Sequence, residues 1–407
     1  MPGGLLLYNG GLEIIGGGTM ADKVDLKAQI IAASQRLGID KIGFTTAADF
    51  EDMRPSLVQQ KADGHTTGFE HQNLDERLNP SLIFDQPKSI IAIALAYPSR
   101  MTDRPKRTKA KRGQFARASW GRDYHFILRD KMAALVAEIE QLVAPDDTIR
   151  FKPMVDTGEL MDVVVAQRAG LGFIGKNGLL ITEEFGSFVY LGEIITNLEL
   201  APDTAMACQC GDCRRCVDYC PPQALMGNGQ LNGQRCLSYQ TQTKDLLAPE
   251  FRPLIKNVIY GCDICQLVCP FNKGKNFHRH GAMEPDPEQV MPELQPMLAL
   301  SNRDFKARFG MMAGSWRGKK PLQRNAIIAL ANQKDQSALP HLMQVVTADP
   351  RPMIRATAAY AIGQITKFHN EATLDFLKQA YDQEVAQTTP AAYLAEFAQA
   401  IAAIAAL

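Results

Sequence analysis

The sequence predicts a multidomain α+β protein, and three features of the chain carry that expectation. Helix-like and strand-like patterns alternate over residues 20–200, eight of the nine cysteines crowd between Cys210 and Cys269, and Ala-rich helical patterns recur from about Pro296 onward. A chain of 407 residues has room for two or three cores. The expected units are a leader or cloning remnant over 1–19, an α/β domain over 20–200, a cysteine-rich module over 201–285 and a helical-repeat domain over 286–407.

Composition is that of an ordinary soluble chain, with 46% hydrophobic and 22% charged residues. The formal net charge is zero at pH 7, so global charge gives no argument for a polyanionic partner. No apolar run reaches the ~18 residues needed to span a bilayer. The stretch before Met20, which ends Gly16-Gly17-Gly18-Thr19, has neither a basic n-region nor a clear cleavage site and does not read as a signal peptide. A cytoplasmic location is therefore expected. Disulfides are rare there, so crowded cysteines point to metal.

Apolar residues fall at helical spacing from Lys23 to Leu37, with Gly38 as a stop. Lys41–Thr45 and Ser89–Ala96 read as strands, the second apolar on both faces. Phe126–Val143 reads as an amphipathic helix, Phe151–Val155 as a strand, Gly158–Ala169 as a further helix and Phe188–Thr196 as a β-branched strand. Pro202–Pro270 has little periodicity and cannot build an ordinary core. Beyond it, the pattern Arg324–Ala331 returns 31 residues later as Arg355–Ile362, with a helix at Ala338–Val346 between them closed by Asp349-Pro350. That period suggests two or three HEAT-type helix pairs.

Cys210-Gly-Asp-Cys213-Arg-Arg-Cys216-Val-Asp-Tyr-Cys220-Pro221 has the spacing of the bacterial ferredoxin run. A second group, Cys262-Asp-Ile-Cys265-Gln-Leu-Val-Cys269-Pro270, follows, with Cys236 alone between the two. Three thiolates at two-residue intervals wrap three corners of one cubane, and the fourth, before proline, turns towards a neighbouring cluster. The assignment is a first [4Fe–4S] cluster on Cys210, Cys213, Cys216 and Cys269, and a second on Cys220, Cys236, Cys262 and Cys265, with Cys208 left free. Zinc favours two pairs across a longer loop, and four cysteines in so short a run are too dense for one tetrahedral site.

Gly170-Leu-Gly172-Phe-Ile-Gly175 matches the dinucleotide fingerprint but in inverted context, with a helix before it and a strand after, so that reading is rejected in favour of a turn or a close backbone approach. Asp156 stands before Thr157-Gly158-Glu159. From pattern alone it is an N-cap answered by Glu159; the sharper reading is a general acid whose pKa burial would raise. His125 reads as a packed residue and His278-Arg-His280 as a solvated loop, and Ser119 has no base partner. Nine Lys or Arg residues against Asp103 lie between Arg100 and Arg122, and seven against Asp304 between Arg303 and Arg324, with Trp316 among them. Two such runs suit a polyanion, although most basic runs are solvated faces.

Taken together the chain resembles the epoxyqueuosine reductase family. The likeness rests on Trp120-Gly-Arg-Asp-Tyr-His125, Val155-Asp-Thr-Gly158, Gly172-Phe-Ile-Gly-Lys-Asn-Gly178, Gly192-Glu-Ile-Ile195, the cysteine groups with Arg235-Cys-Leu-Ser-Tyr239, and Arg324-Asn-Ala326. The resemblance implies an α/β cobalamin-binding domain related to reductive dehalogenases, a ferredoxin-like module and a HEAT-like domain. It implies reduction of epoxyqueuosine to queuosine at the tRNA wobble position. Electrons would pass singly from two [4Fe–4S] clusters to cobalamin held without a lower axial protein ligand. By motif matching Asp156 becomes the proton donor, and Arg77, Ser119, Asp156, Asn177, Ser187, Ser238 and Asp263 line the cobalamin. Lys244, Arg317, Lys319, Arg324 and Arg355 are the expected tRNA backbone contacts. The partners expected are tRNA carrying epoxyqueuosine and a low-potential electron donor, with no membrane and a monomeric protein. The competing readings are a small-molecule corrinoid reductase and a non-catalytic iron–sulfur electron-transfer adaptor.

Overall fold

The computed structural model describes residues 20–144 and 146–407, so the expected leader over 1–19 lies outside the described residues. Eight strands are formed: β1 Lys41–Thr46, β2 Ser89–Ala96, β3 Gln114–Phe115, β4 Phe151–Met154, β5 Phe173–Ile174, β6 Leu180–Ile181, β7 Val189–Thr196 and β8 Val258–Tyr260. Four of them make one sheet in the order β1-β2-β7-β4, antiparallel at every pairing. The mixture in 20–200 is thus helices on an antiparallel sheet, not parallel βαβ units. Strand β2 is buried along its whole length, as its unbroken apolar run requires of a strand covered on both faces.

Helices Met20–Arg36 and Tyr124–Val143 cover one face through Ile30, Phe44, Ile91, Ile93, Met132 and Ile194. The helix Asp162–Arg168 and the segment around Phe50 and Leu78 cover the other, over Ala92, Met154 and Ile195. This second helix was expected from Gly158 but begins only at Asp162, and its N-cap position is Met161. The predicted capping box does not form. Asp156 adopts φ +51°, which turns the chain away from a helical start, and Glu159 pairs with Lys152 at 2.8 Å instead. Residues 170–175 lead from the helix into the β5–β6 hairpin, where a Cβ on Gly172 would lie 2.4 Å from the Ile181 carbonyl oxygen. That close approach is the reason for glycine there.

The α-helices of the cysteine-rich stretch, Arg215–Asp218, Leu237–Gln240 and Ile264–Leu267, are four residues each, and β8 is its one strand among the described residues. Beyond it, helices Lys319–Asn332, Leu339–Ala348, Pro352–Ile365, Glu371–Ala386 and Ala391–Ala405 stack in the HEAT manner. Their core extends past the repeat itself to Phe115, Trp120 and Ile259.

Two expected tRNA contacts are corrected here. Arg324 is fully buried, and its guanidinium donates to the carbonyl oxygens of Thr243 at 2.8 Å and Gln240 at 2.9 Å. Arg355 is buried against Glu384, with Nη2 donating to Oε2 at 2.9 Å. Both were read as free cations because an arginine on an Ala-rich helix does not disclose which face it occupies. They join elements and are not presented to a phosphate.

Replacing Arg324 by methionine would strand at least two buried carbonyls, each bonded to a charged donor worth about 1.5–3 kcal/mol. We expect Arg324→Met to lower stability by about 3 kcal/mol or more in urea unfolding. An unchanged midpoint would show that this joint is dispensable.

Candidate active site

The structure brings the eight expected thiols together in two sets drawn from both ends of the module. Cys216 faces Cys269 and Cys213, and Cys269 faces Cys210 and Cys213. Cys265 faces Cys262, Cys236 and Cys220, and also Cys216 of the other set, while Cys262 faces Cys236 and Cys220. Cys208 is exposed. Burial pushes the Cys262 thiol up to about 12 and that of Cys265 higher, so binding iron must displace protons from both. Among the described residues no three His, Cys, Asp or Glu side chains close on a single-ion site. A cubane seats its thiolates on four separate corners and needs the wider spacing. The donor set therefore fits two clusters.

Asp156 stands just past β4, its side chain 57% exposed beside His125, with Tyr124 and Tyr260 near enough to feel its charge. Behind it, the Tyr124 ring stacks on Tyr190 at 4.4 Å and on His125 at 4.3 Å. His125 Nδ1 contacts Asp123 Oδ1 at 2.7 Å, and its Nε2 lies 3.4 Å from Asp156 Oδ2, within ion-pair range but without a hydrogen bond. Asp123 also caps the helix by accepting the His125 N–H at 3.0 Å, which fixes the imidazole. Asp123 first and Asp156 second push His125 up to about 9.

The expected elevation of Asp156 by burial is corrected. His125 is the largest influence on its carboxyl and, against the opposing effect of burial, holds it below the usual range. At neutral pH this arrangement keeps the proton on the imidazole and the charge on the carboxylate. His125, read as packing, is thus part of the site; the Asp-x-His spacing at a helix start was the available signal. His280, read as solvated, is half-buried with its Nε2 2.6 Å from Asp40 Oδ2.

The expected cobalamin residues are distributed over the same region. Asn177 is buried, and its Nδ2 has no hydrogen-bond partner, a donor free for an amide or phosphate oxygen. Ser119 Oγ donates to the Ala116 carbonyl at 2.8 Å. Ser187 Oγ accepts from Gln266 at 3.1 Å and Asn272 at 2.9 Å, and Asp263 binds the Arg117 guanidinium at 2.8 Å. Ser238 is half-buried beside Cys236. Arg77 is half-buried, and burial lowers its guanidinium against the opposing charge of Glu70. Of these groups the orphaned Asn177 donor is the one that fits the amide and phosphate oxygens of a corrinoid, while Ser119, Ser187 and Asp263 are engaged by protein partners.

Comparison with known proteins places this site. A relative from Lactococcus garvieae named epoxyqueuosine reductase is 53% identical over 344 residues, 84% of this chain and 97% of the relative. The chain belongs to the epoxyqueuosine reductase family. The Bacillus subtilis member is 52% identical over 88% of this chain and 92% of its own length. Family models match as an epoxyqueuosine reductase QueG domain (DUF1730) over residues 77–157, a 4Fe-4S double cluster binding domain over 209–272 and HEAT repeats over 317–395. A crystal structure of an epoxyqueuosine reductase with an epoxyqueuosine-modified tRNA-Tyr stem loop superposes with TM-score 0.89 at 50% identity, covering 94% of this chain and 99% of that one. A structure of the Bacillus subtilis enzyme, at TM-score 0.88 and 49% identity, has its catalytic aspartate loop swung out of the active site.

The His125 shift has a definite sign. The imidazole is raised in the folded state, so its contribution to stability is complete below about 6.5 and fades as pH rises through about 9. The stability gap between the wild type and His125→Gln is expected to be widest near pH 6 and to close by pH 10 in urea titrations. A gap that does not vary with pH would mean that His125 is not charged in the fold.

Proposed function

We propose that this chain reduces epoxyqueuosine to queuosine in tRNA with Asp156 as the proton donor. The observation that carries the assignment of the acid is the Asp156–His125 pair, 3.4 Å apart, with the imidazolium beside the carboxylate. Opening the epoxide and expelling its oxygen as water consumes two electrons and two protons. Cobalamin and the two [4Fe–4S] clusters, when bound, supply the electrons and the reduced centre that opens the ring. Cys210, Cys213, Cys216 and Cys269 would hold one cluster and Cys220, Cys236, Cys262 and Cys265 the other. Arg77, Ser119, Asn177, Ser187, Ser238 and Asp263 would contact the corrinoid.

The protein's own part is to hold and deliver protons. His125 stores one beside the Asp156 carboxylate, and transfer along their 3.4 Å gap would arm the acid as charge develops on the departing oxygen. Tyr124 and Tyr190 form an apolar wall behind the pair, which excludes water and strengthens the interaction.

The tRNA would lie across the repeat domain. An open groove of about 530 Å³ is lined by Arg317, Lys319, Lys320 and His341, suited to phosphates, and by Arg351, which is paired with Asp349 of the same lining at 2.6 Å. Of the residues expected there Arg317 and Lys319 are on the groove, and Lys320 and Arg351 join them. At its edge Trp316 and Phe69 are 54% and 44% exposed with ring centres 5.2 Å apart, and the Arg317 guanidinium lies 4.8 Å and 5.2 Å from them. Such aromatic surface suits stacking of unpaired bases. Trp316 Nε1 and the Tyr260 hydroxyl both donate to Gln242 Oε1, at 2.9 Å and 3.3 Å, which links the platform to Tyr260. Lys244 remains a candidate contact. Among the described residues no helix is long and apolar enough to cross a membrane. A cytoplasmic monomer fed by a low-potential donor completes the reading.

The test is anaerobic turnover of an epoxyqueuosine stem loop by cluster-loaded, cobalamin-supplemented protein; no queuosine product would reject the reading. Reversing Arg317 and Lys319 to glutamate should weaken stem-loop binding at least ~10-fold at low salt and reduce the log–log salt slope by about two. Unchanged affinity would remove the groove from the tRNA path. Trp316→Ala should cost about 1–3 kcal/mol of stem-loop binding while leaving the salt slope alone.

A further inference from the structure

The first basic run of the sequence belongs neither to the Asp156 site nor to the groove. Its opening stretch, residues 100–112, carries seven cations against Asp103 alone and contains no aromatic residue. It forms no helix, and its one backbone pairing is an isolated bridge from Arg112 to Glu293. The stretch is nevertheless pinned at both ends. Asn276 Oδ1 accepts the backbone N–H groups of Ser99 at 3.0 Å and Arg100 at 2.9 Å. At the far end the Arg112 guanidinium, 13% exposed, donates to Glu288 Oε2 and to the Met291 carbonyl, each at 2.7 Å. Between these anchors the Lys106 N–H donates to Glu288 Oε1 at 3.2 Å, and Thr108 Oγ1 to Glu293 Oε1 at 2.9 Å. Met101 packs against the core of the repeat domain. The segment is a strap laid from the α/β domain onto the start of the repeats.

What the strap presents is charge without partners. Arg100, Arg104, Lys106, Arg107, Lys109 and Lys111 are exposed, and among the described residues none of their side chains has a hydrogen-bond or ion-pair partner. The acids that touch the strap, Glu288 and Glu293, are both taken up by Arg112. Because the backbone is held, these cations are gathered in advance on one short segment, which lowers the ordering cost of binding a polyanion.

The strap also continues the basic face of the groove. The helix Asn302–Phe309 is about 12 Å long and joins the two. Asn302 lines the groove at one end, and at the other Arg308 Nη2 donates to the Glu288 carbonyl at 2.6 Å. Arg303 and Lys306 are exposed along it. Groove and strap differ in kind, however. The groove edge offers Trp316 and Phe69 for unpaired bases, whereas the strap offers cations alone. Paired RNA hides its base faces and shows its phosphates, so a surface of cations without aromatic rings suits a duplex.

We propose that the strap over residues 100–112 binds the phosphate backbone of the paired tRNA that continues beyond the anticodon stem loop. The inference rests on tRNA being the substrate. Its test separates the two readings by using two lengths of the same RNA.

That test is binding of epoxyqueuosine-modified tRNA, at full length and as the stem loop cut from it, to the whole chain across a salt series. At low salt the wild type is expected to bind full-length tRNA at least ~10-fold more tightly than the stem loop, because the longer RNA meets more cations. The triple variant Lys106→Gln, Arg107→Gln, Lys109→Gln should erase that advantage and reduce the log–log salt slope for full-length tRNA by about two to three. Its affinity for the stem loop should change less than ~3-fold, since salt screens exposed charges beyond contact range. The three side chains have no partners in the fold, so the urea midpoint should not move. Equal losses for both RNAs would put the strap on the stem loop and overturn the proposal. No loss for either would overturn it as well and leave the strap a solvated face. A wild type that binds neither RNA would reject tRNA as the substrate, and the strap proposal with it.

Discussion

Arg324 and its neighbour Asn325 bolt the repeat domain to the cysteine module, and the arrangement of the site depends on that joint. Arg324 gives its guanidinium to the carbonyls of Gln240 and Thr243, while Asn325 Nδ2 donates to those of Thr241 at 2.7 Å and Ile259 at 2.8 Å. Both residues are fully buried, so these groups have no water to turn to and the geometry is held strongly. The bonded segment includes Ser238, Gln242 and Lys244, follows directly on Cys236, and reaches Trp316 through Gln242. A second buried link, Arg252 with Glu396 at 2.7 Å and 2.6 Å, ties the last helix to the same module. A stretch with almost no apolar core of its own is thereby fixed between two domains that have one.

The chemistry at Asp156 is an exercise in keeping charge where it is needed. One carboxylate is exposed, paired with an imidazolium and held ionised; another, Glu193, is buried in the middle of the sheet, and burial pushes it above the ordinary carboxylate range. The difference is solvation and the nature of the nearest partner. His125 takes its position from Asp123, which is both helix cap and hydrogen-bond partner, so one short motif sets the start of a helix and the proton inventory of the site.

Much of this was legible in the residues. The strands β1, β2 and β7, the long helix before β4, the repeat helices and the two crossing cysteine sets follow from periodicity and spacing, which are local quantities. The decoy glycine motif could be set aside because its neighbours had the wrong secondary structure. What was misread shares a different character. Arg324 and Arg355 passed for surface cations, His280 for a solvated residue and Asp156 for a cap with a raised pKa.

Those errors all concern which way a polar side chain faces and what lies opposite it. Composition and spacing determined the element types and the grouping of the cysteines, and resemblance to the family supplied the role expected of Asp156, because each is written within a few residues. Only the tertiary structure decided that Arg324 would be a joint, that His125 would stand behind Asp156, and that Glu193 would be buried in the middle of the sheet. Those partners lie tens of residues apart or on different elements, and burial, which decides the behaviour of a charge, belongs to the packed fold and not to the chain.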